Sequence, residues 1–289
     1  MFSMWARLVA ALSCGAPGTR PAAAQASVGK TWIAFYGQTA DTSELSQYNI
    51  VVLDPMFQGS IAEIAGKGAT VCSYLSLGEV RLDAAYGADV APDALLEENP
   101  NWPGTRRIDV RQASWSRLVL DELIPQVAAK GFNGLLLDTL ETPHHLEQLD
   151  PEKNAGMSQS AAKLVREIRS RYPKMMLIIN RGYGLLADVG DCVDAVVAES
   201  LLTTVDCRED RFDYRWNSAQ EVGWQLALLQ PVLNRPDPVP ILSLDYWNPE
   251  DTEGVREIYR RQRSLHHYPY VGQRLLDTIV PEPGRQETQ

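Results

Sequence analysis

Between residues 30 and 280 the chain alternates short, nearly continuous apolar runs with longer stretches whose apolar positions recur every three or four residues. The runs are TWIAFYG (31–37), IVVLDP (50–55), TVCSYLSLGE (70–79), RRIDV (106–110), GLLLDTL (134–140), MLIIN (176–180), AVVAESL (195–201) and ILSLDY (241–246). All but RRIDV are too short for helices and too apolar for a sheet with one wet face, so they read as strands buried on both sides. Helices are expected over 60–67, 114–130, 158–172 and 218–233, and from Asn248-Pro249 to about 266. Ala161, Leu164, Val165, Ile168 and Tyr172 give the third of these one apolar face. Asn248-Pro249 reads as an N-cap followed by a proline at the first helical position. Strands alternating with helices predict a parallel sheet, and eight such units predict an α/β fold, a single-domain (β/α)8 TIM barrel over residues 27–283. The run YVGQRLLDTI (270–279) closes the domain, and the polar residues 284–289 form a flexible tail. A doubly wound open sheet is the rival topology, but no GxGxxG follows the first strand.

Five of the runs end in a carboxylate: Asp54, Glu79, Asp138, Glu199 and Asp245. Strand C-termini form the catalytic mouth of a barrel, so acids there point to acid–base chemistry, glycoside hydrolysis first. The bland alternative is that each acid N-caps the next helix. That suits Asp54, which lies just before a helix. It fails for Asp138, whose helix begins near Ser158 beyond Pro143 and Pro151, and for Glu199, which a long polar stretch follows. It also fails for Asp245, whose helix has its own start at Asn248-Pro249. A second alternative is an ion pair with Arg181, but one arginine cannot neutralise the whole set. Tyr36, Tyr74, Tyr183, Tyr246 and Trp247 lie at or near the same predicted mouth, where flat rings suit stacking on sugars. For Tyr74, inside its strand, core packing is the competing reading.

Composition narrows the partners. The formal net charge is −10, and it is −12 once residues 1–26, which carry Arg7, Arg20 and no acid, are set aside. Such a chain disfavours nucleic acid and attracts cationic substrates. Arg7, the apolar LVAAL and Ala24-Gln25-Ala26 make residues 1–26 a signal peptide, so a secreted or periplasmic location is expected. No other segment is long and apolar enough to span a membrane. Cys72 reads as a buried thiol, while Cys192 and Cys207 bracket the AVVAE strand and are a possible pair in an oxidising compartment. His144-His145 and His266-His267 lack metal-site spacing, and GxSxG and GxxxxGK[ST] are absent, so no metal or cofactor is expected.

The segments YLSLGEV (74–80), LLEENPNWPGTRRIDV (95–110), GFNGLLLDTLE (131–141), LIINRGY (177–183), VVAESL (196–201) and LSLDY (242–246) together resemble the endo-α-1,4-polygalactosaminidase family. They are closest to its bacterial exopolysaccharide-modifying members. There the hydrolase precedes further domains, a deacetylase among them, whereas the hydrolase resemblance takes up nearly all of this sequence after residue 26. The resemblance implies a β/α barrel that cleaves partially deacetylated, galactosamine-containing polysaccharide. It implies that Asp138 and Glu199 are the catalytic carboxylates and that Glu79, Asn180, Arg181 and Asp245 line the substrate groove, with Asp54 beside them. A monomer acting on a cationic polymer without cofactor is the expectation. Which carboxylate is nucleophile stays open. A non-catalytic carbohydrate-binding barrel and a glycosidase of another α-galactoside are the alternatives.

Overall fold

The computed structural model describes residues 31–208 and 211–284. The signal-peptide reading and most of the tail therefore lie outside the described residues. Eight parallel strands form one sheet: β1 (Trp32–Phe35), β2 (Ile50–Leu53), β3 (Thr70–Ser76), β7 (Gly134–Asp138), β8 (Met176–Asn180), β9 (Ala195–Glu199), β12 (Ile241–Tyr246) and β13 (Tyr268–Gly272), in that order. The sheet curls until β13 meets β1. There Trp32 Nε1 donates to the Tyr268 carbonyl at 2.8 Å and the Trp32 and Tyr270 rings meet edge-on. The result is a single, nearly closed (β/α)8 barrel.

Two expectations change. RRIDV is not a barrel strand. Thr105–Ile108 (β6) lies in a three-stranded antiparallel sheet with Glu79–Arg81 (β4) and Leu95–Glu98 (β5), inserted after β3. Of β6 only Ile108 is fully buried, and a strand so polar cannot stand in a parallel sheet covered on both faces. The eighth strand is instead β13, five residues starting two positions earlier than the closing run.

The helical layer follows the periodicity, with local differences. The stretch from Ala113 to Ala129 is one rod with a π-helical section at Leu118–Leu123. A helix at Glu141–Leu149 directly follows β7, with Pro143 in its first turn, where a missing N–H costs nothing. It precedes Met157–Arg171, so the helix begins earlier than expected, and no side chain caps it. The last helix runs Thr252–Ser264 and is capped by Asp251. Asn248 forms the turn before it, accepting from the Glu250 amide.

Alternation along the strands sorts the core. Leu135, Leu137, Leu177, Ile179, Val196 and Ala198 pack outward in one cluster with the helices. Leu136, Ile178, Ala195, Val197, Leu242 and Leu244 belong to a second cluster with the first strands. A hairpin, Thr203–Arg208 (β10) with Arg211–Trp216 (β11), rises after β9. Cys192 is a free, buried thiol that donates to the Val189 carbonyl. It precedes β9, whereas position 207 lies in the hairpin that follows, and with its thiol free Cys192 does not form the expected pair.

Candidate active site

Ladder register decides which side chains meet. Ser76 pairs with Asp138 across β3 and β7, Asn180 with Val197 across β8 and β9, and Glu199 with Leu244 across β9 and β12. Laterally paired residues point to the same face, so Asp138, Asn180, Glu199 and Tyr246 all aim into the barrel at its C-terminal end. The Asn180 side-chain nitrogen donates to Asp138 Oδ1 at 2.9 Å and to Glu199 Oε2 at 2.7 Å. One nitrogen at those two distances holds the oxygens less than about 5.6 Å apart, and the spread of the two hydrogens on a planar amide makes it about 5 Å. The outer oxygens are held by phenols. Tyr74 Oη donates to Asp138 Oδ2 at 2.7 Å, and Tyr246 Oη to Glu199 Oε1 at 2.6 Å. Tyr36 stands edge-on to Tyr74 with ring centroids 5.3 Å apart.

The three strands that deliver Asp138, Asn180 and Glu199 are each followed at once by a non-glycine residue with left-handed backbone: Thr139 (φ 59°), Arg181 (φ 51°) and Ser200 (φ 54°). Such conformations are costly and persist where the surroundings over-determine them. Thr139 shows how: its Oγ1 accepts from the Gly78 amide at 2.8 Å. The approach needs glycine, since a Cβ on residue 78 would stand 2.2 Å from the Thr139 carbonyl oxygen.

The electrostatics are those of coupled acids in a confined mouth. Burial first, and then the Glu199 charge, push Asp138 above the usual carboxylate range. Tyr74, the Thr139 amide and Asn180 pull the other way. Burial and then Asp138 raise Tyr36 and Tyr74, and burial and then Glu199 raise Tyr246, so these phenols stay protonated. Glu141, at the start of the helix after β7, faces solvent on one side. Desolvation by the mouth's walls, followed by Asp138, still pushes its carboxyl up to about 7.

The remaining expected residues separate. Asp54 stays on the rim, where Oδ1 accepts from the Met56 amide in a turn while its charge reaches Tyr36. Arg181 faces the mouth beside Tyr183, its buried Nε has no partner, and among the described residues it makes no ion pair. Glu79 is buried beneath the insertion, and its Oε1 accepts from Asn99 and Thr142. Asp245 sits one residue before Tyr246 and so points the opposite way, out of the barrel. It is fully buried and accepts from the Leu202 and Thr203 amides and from Gln262. Trp247 packs against Trp216 and Tyr214 of the hairpin and donates to Asp251. Glu79, Asp245 and Trp247 thus brace the walls and make no hydrogen bond to the acid pair. Glu141 joins the site unannounced, although it closes the GLLLDTLE run three residues after Asp138.

Residues 15–287 match the model of glycoside-hydrolase family GH114. The chain belongs to that family. This GH114 hydrolase is 26% identical over 278 residues to an uncharacterized protein of Deinococcus radiodurans, covering 91% of this chain and 86% of the other. Its fold is similar to the glycoside hydrolase domain of PelA from Pseudomonas aeruginosa, with a TM-score of 0.78 and 25% identity, covering 88% of this chain and 98% of that one. It also superposes on Aspergillus fumigatus Ega3 in complex with galactosamine with a TM-score of 0.62 and 15% identity, covering 88% and 94%. Among the described residues no helix is long and apolar enough to cross a membrane.

Proposed function

We propose that this GH114 hydrolase cleaves α-1,4-linked, partially deacetylated galactosamine polymer, internally and with retention of configuration, using Asp138 and Glu199. The observation that carries the reading is the shared Asn180 amide, which sets one oxygen of each carboxylate about 5 Å from the other. Retaining glycosidases need about 5–5.5 Å, whereas inverting enzymes leave about 6.5–9.5 Å for a water. Asp138 attacks the anomeric carbon while Glu199 gives its proton to the departing glycosidic oxygen. Glu199 then takes a proton from water, which displaces Asp138 and regenerates both groups. With Glu199 protonated, the like charge that raises Asp138 disappears, and three donors hold Asp138 as the anion. Tyr246 holds Glu199 in place, and Asn180 keeps both oxygens at one distance.

The choice of sugar draws on the galactosamine bound by the Aspergillus neighbour and on the acids of the mouth, Glu141 and Asp54, which suit an ammonium group. Internal cleavage follows the family resemblance, and export follows the composition of residues 1–26. The test uses Asp138→Asn and Glu199→Gln with de-N-acetylated α-1,4-galactosamine polymer. Release of reducing ends is expected to fall by about 10³-fold or more in each folded variant. The wild type should give an oligomer ladder with no early monomer. Wild-type rates in either variant overturn the assignment, and binding without new reducing ends makes the chain a carbohydrate-binding barrel.

A further inference from the structure

The mouth is lined by acids, yet a second cation besides Arg181 overhangs it. Arg274 lies in the loop after β13, pinned above the barrel where the Tyr36 amide donates to the Leu276 carbonyl at 2.6 Å. Its guanidinium carbon stands 5.9 Å from the centre of the Tyr246 ring, whose hydroxyl holds Glu199. It also stands 5.0 Å from the centre of the Trp102 ring. Trp102 belongs to the turn between β5 and β6, so the insertion after β3 reaches over the first strands to meet the β13 loop. Trp102 is 53% exposed. Arg274 is half-buried and, among the described residues, has no carboxylate within ion-pair distance. Two rings therefore hold a planar cation still, and no acid neutralises it.

Building on the polygalactosaminidase reading, we propose that Arg274 selects an N-acetylated galactosamine unit at the position next to the cleaved bond on the Tyr246 side. An acetamido carbonyl accepts a charge-assisted hydrogen bond from the guanidinium. A free ammonium at that place meets a like charge and loses binding. The acids at the centre and the arginine at the flank thus read opposite substituents, and the enzyme cuts where acetylation changes along the chain. Trp102 is a positioning residue that fixes the guanidinium.

Two α-1,4-galactosamine oligomer pools test this, one fully de-N-acetylated and one partially re-N-acetylated, each assayed for kcat/KM with product ends sequenced by mass spectrometry. Wild type should favour the re-acetylated pool and leave N-acetyl groups at one fixed position relative to the new ends. Arg274→Glu should lower that preference by about tenfold or more, as expected for replacing a charge-assisted donor by an acceptor-only carboxylate in a half-wet cleft. Arg274→Lys should keep most of the preference, and Trp102→Ala should weaken it. An identical ratio in wild type and Arg274→Glu, with acetyl groups randomly placed at the ends, overturns the proposal while leaving the polygalactosaminidase reading intact. Cleavage of neither pool by the wild type overturns that reading, and this one with it.

Discussion

Glu141 shows how much one side chain can set at the mouth. Desolvation first, and then the charges of Asp138 and Glu199, raise its own carboxyl. Pushed up to about 7, it gains its charge as pH rises through neutrality. Glu141→Gln removes a charge that appears beside the pair near pH 7, so kcat/KM should change less between about pH 6 and 8 in the variant than in wild type. A pH–rate profile unchanged from wild type would show that Glu141 is insulated from the pair. Residue identity alone could not separate Glu141 from its neighbours. Five acids at run ends looked equivalent in the sequence, but a strand turns successive side chains to opposite faces. Asp245 and Tyr246 were both expected in the groove, and the pleat admits only Tyr246. Asp138 and Glu199 share the inward parity, which becomes visible only once ladder register is known.

At the level of elements, the outward-facing Asp245 is a bolt. It joins β12 to the loop after β9 and, through Gln262, to the last helix. Gln262 in turn meets His267 Nδ1 at 2.8 Å, just before β13. Burial pushes Asp245 up to about 6 and His267 down to about 4. The folded state therefore holds the Asp245 proton between about pH 4 and 6, where the unfolded chain has released it. The associated stability is present below pH 4 and is lost as pH rises through 6. His267 acts with the opposite sign, since its folded form stays neutral and loses stability as pH falls from about 6.5 through 4. The two slopes largely cancel in wild type, and Asp245→Asn should unmask the histidine. Chemical denaturation should show wild type gaining on the variant by up to about 3 kcal/mol as pH falls from 7 to 4. A constant difference across that range would refute the buried, proton-holding aspartate. Seven of the eight barrel strands were legible because double burial leaves continuous apolar runs. The eighth was hidden by Pro269, which cannot donate to a ladder and pairs with Ser243 inside β13. RRIDV took its place on the strength of spacing alone, and its two arginines were the signal against it.

For the molecule as a whole, charge decides which of the surviving substrate readings holds. The formal net charge of −10 creates a long-range field that draws in polycations, and the acids of the mouth concentrate it at the barrel's C-terminal end. Such attraction depends on ionic strength, because the screening length shrinks from about 30 Å at 0.01 M to about 10 Å at 0.1 M and about 3 Å at 1 M. The acid pair, by contrast, sits in hydrogen bonds that salt does not reach. For a de-N-acetylated polymer, kcat/KM should therefore fall by about tenfold or more between 0.02 and 0.5 M salt, mostly through KM, with kcat nearly constant. A neutral α-galactoside carries no charge for the field to act on, so its kcat/KM should stay flat over the same range. Equal salt sensitivity for both substrates would point to an effect of salt on the protein. A flat response for the cationic polymer would leave the fold and the acid pair standing but remove the electrostatic basis for galactosamine as the sugar.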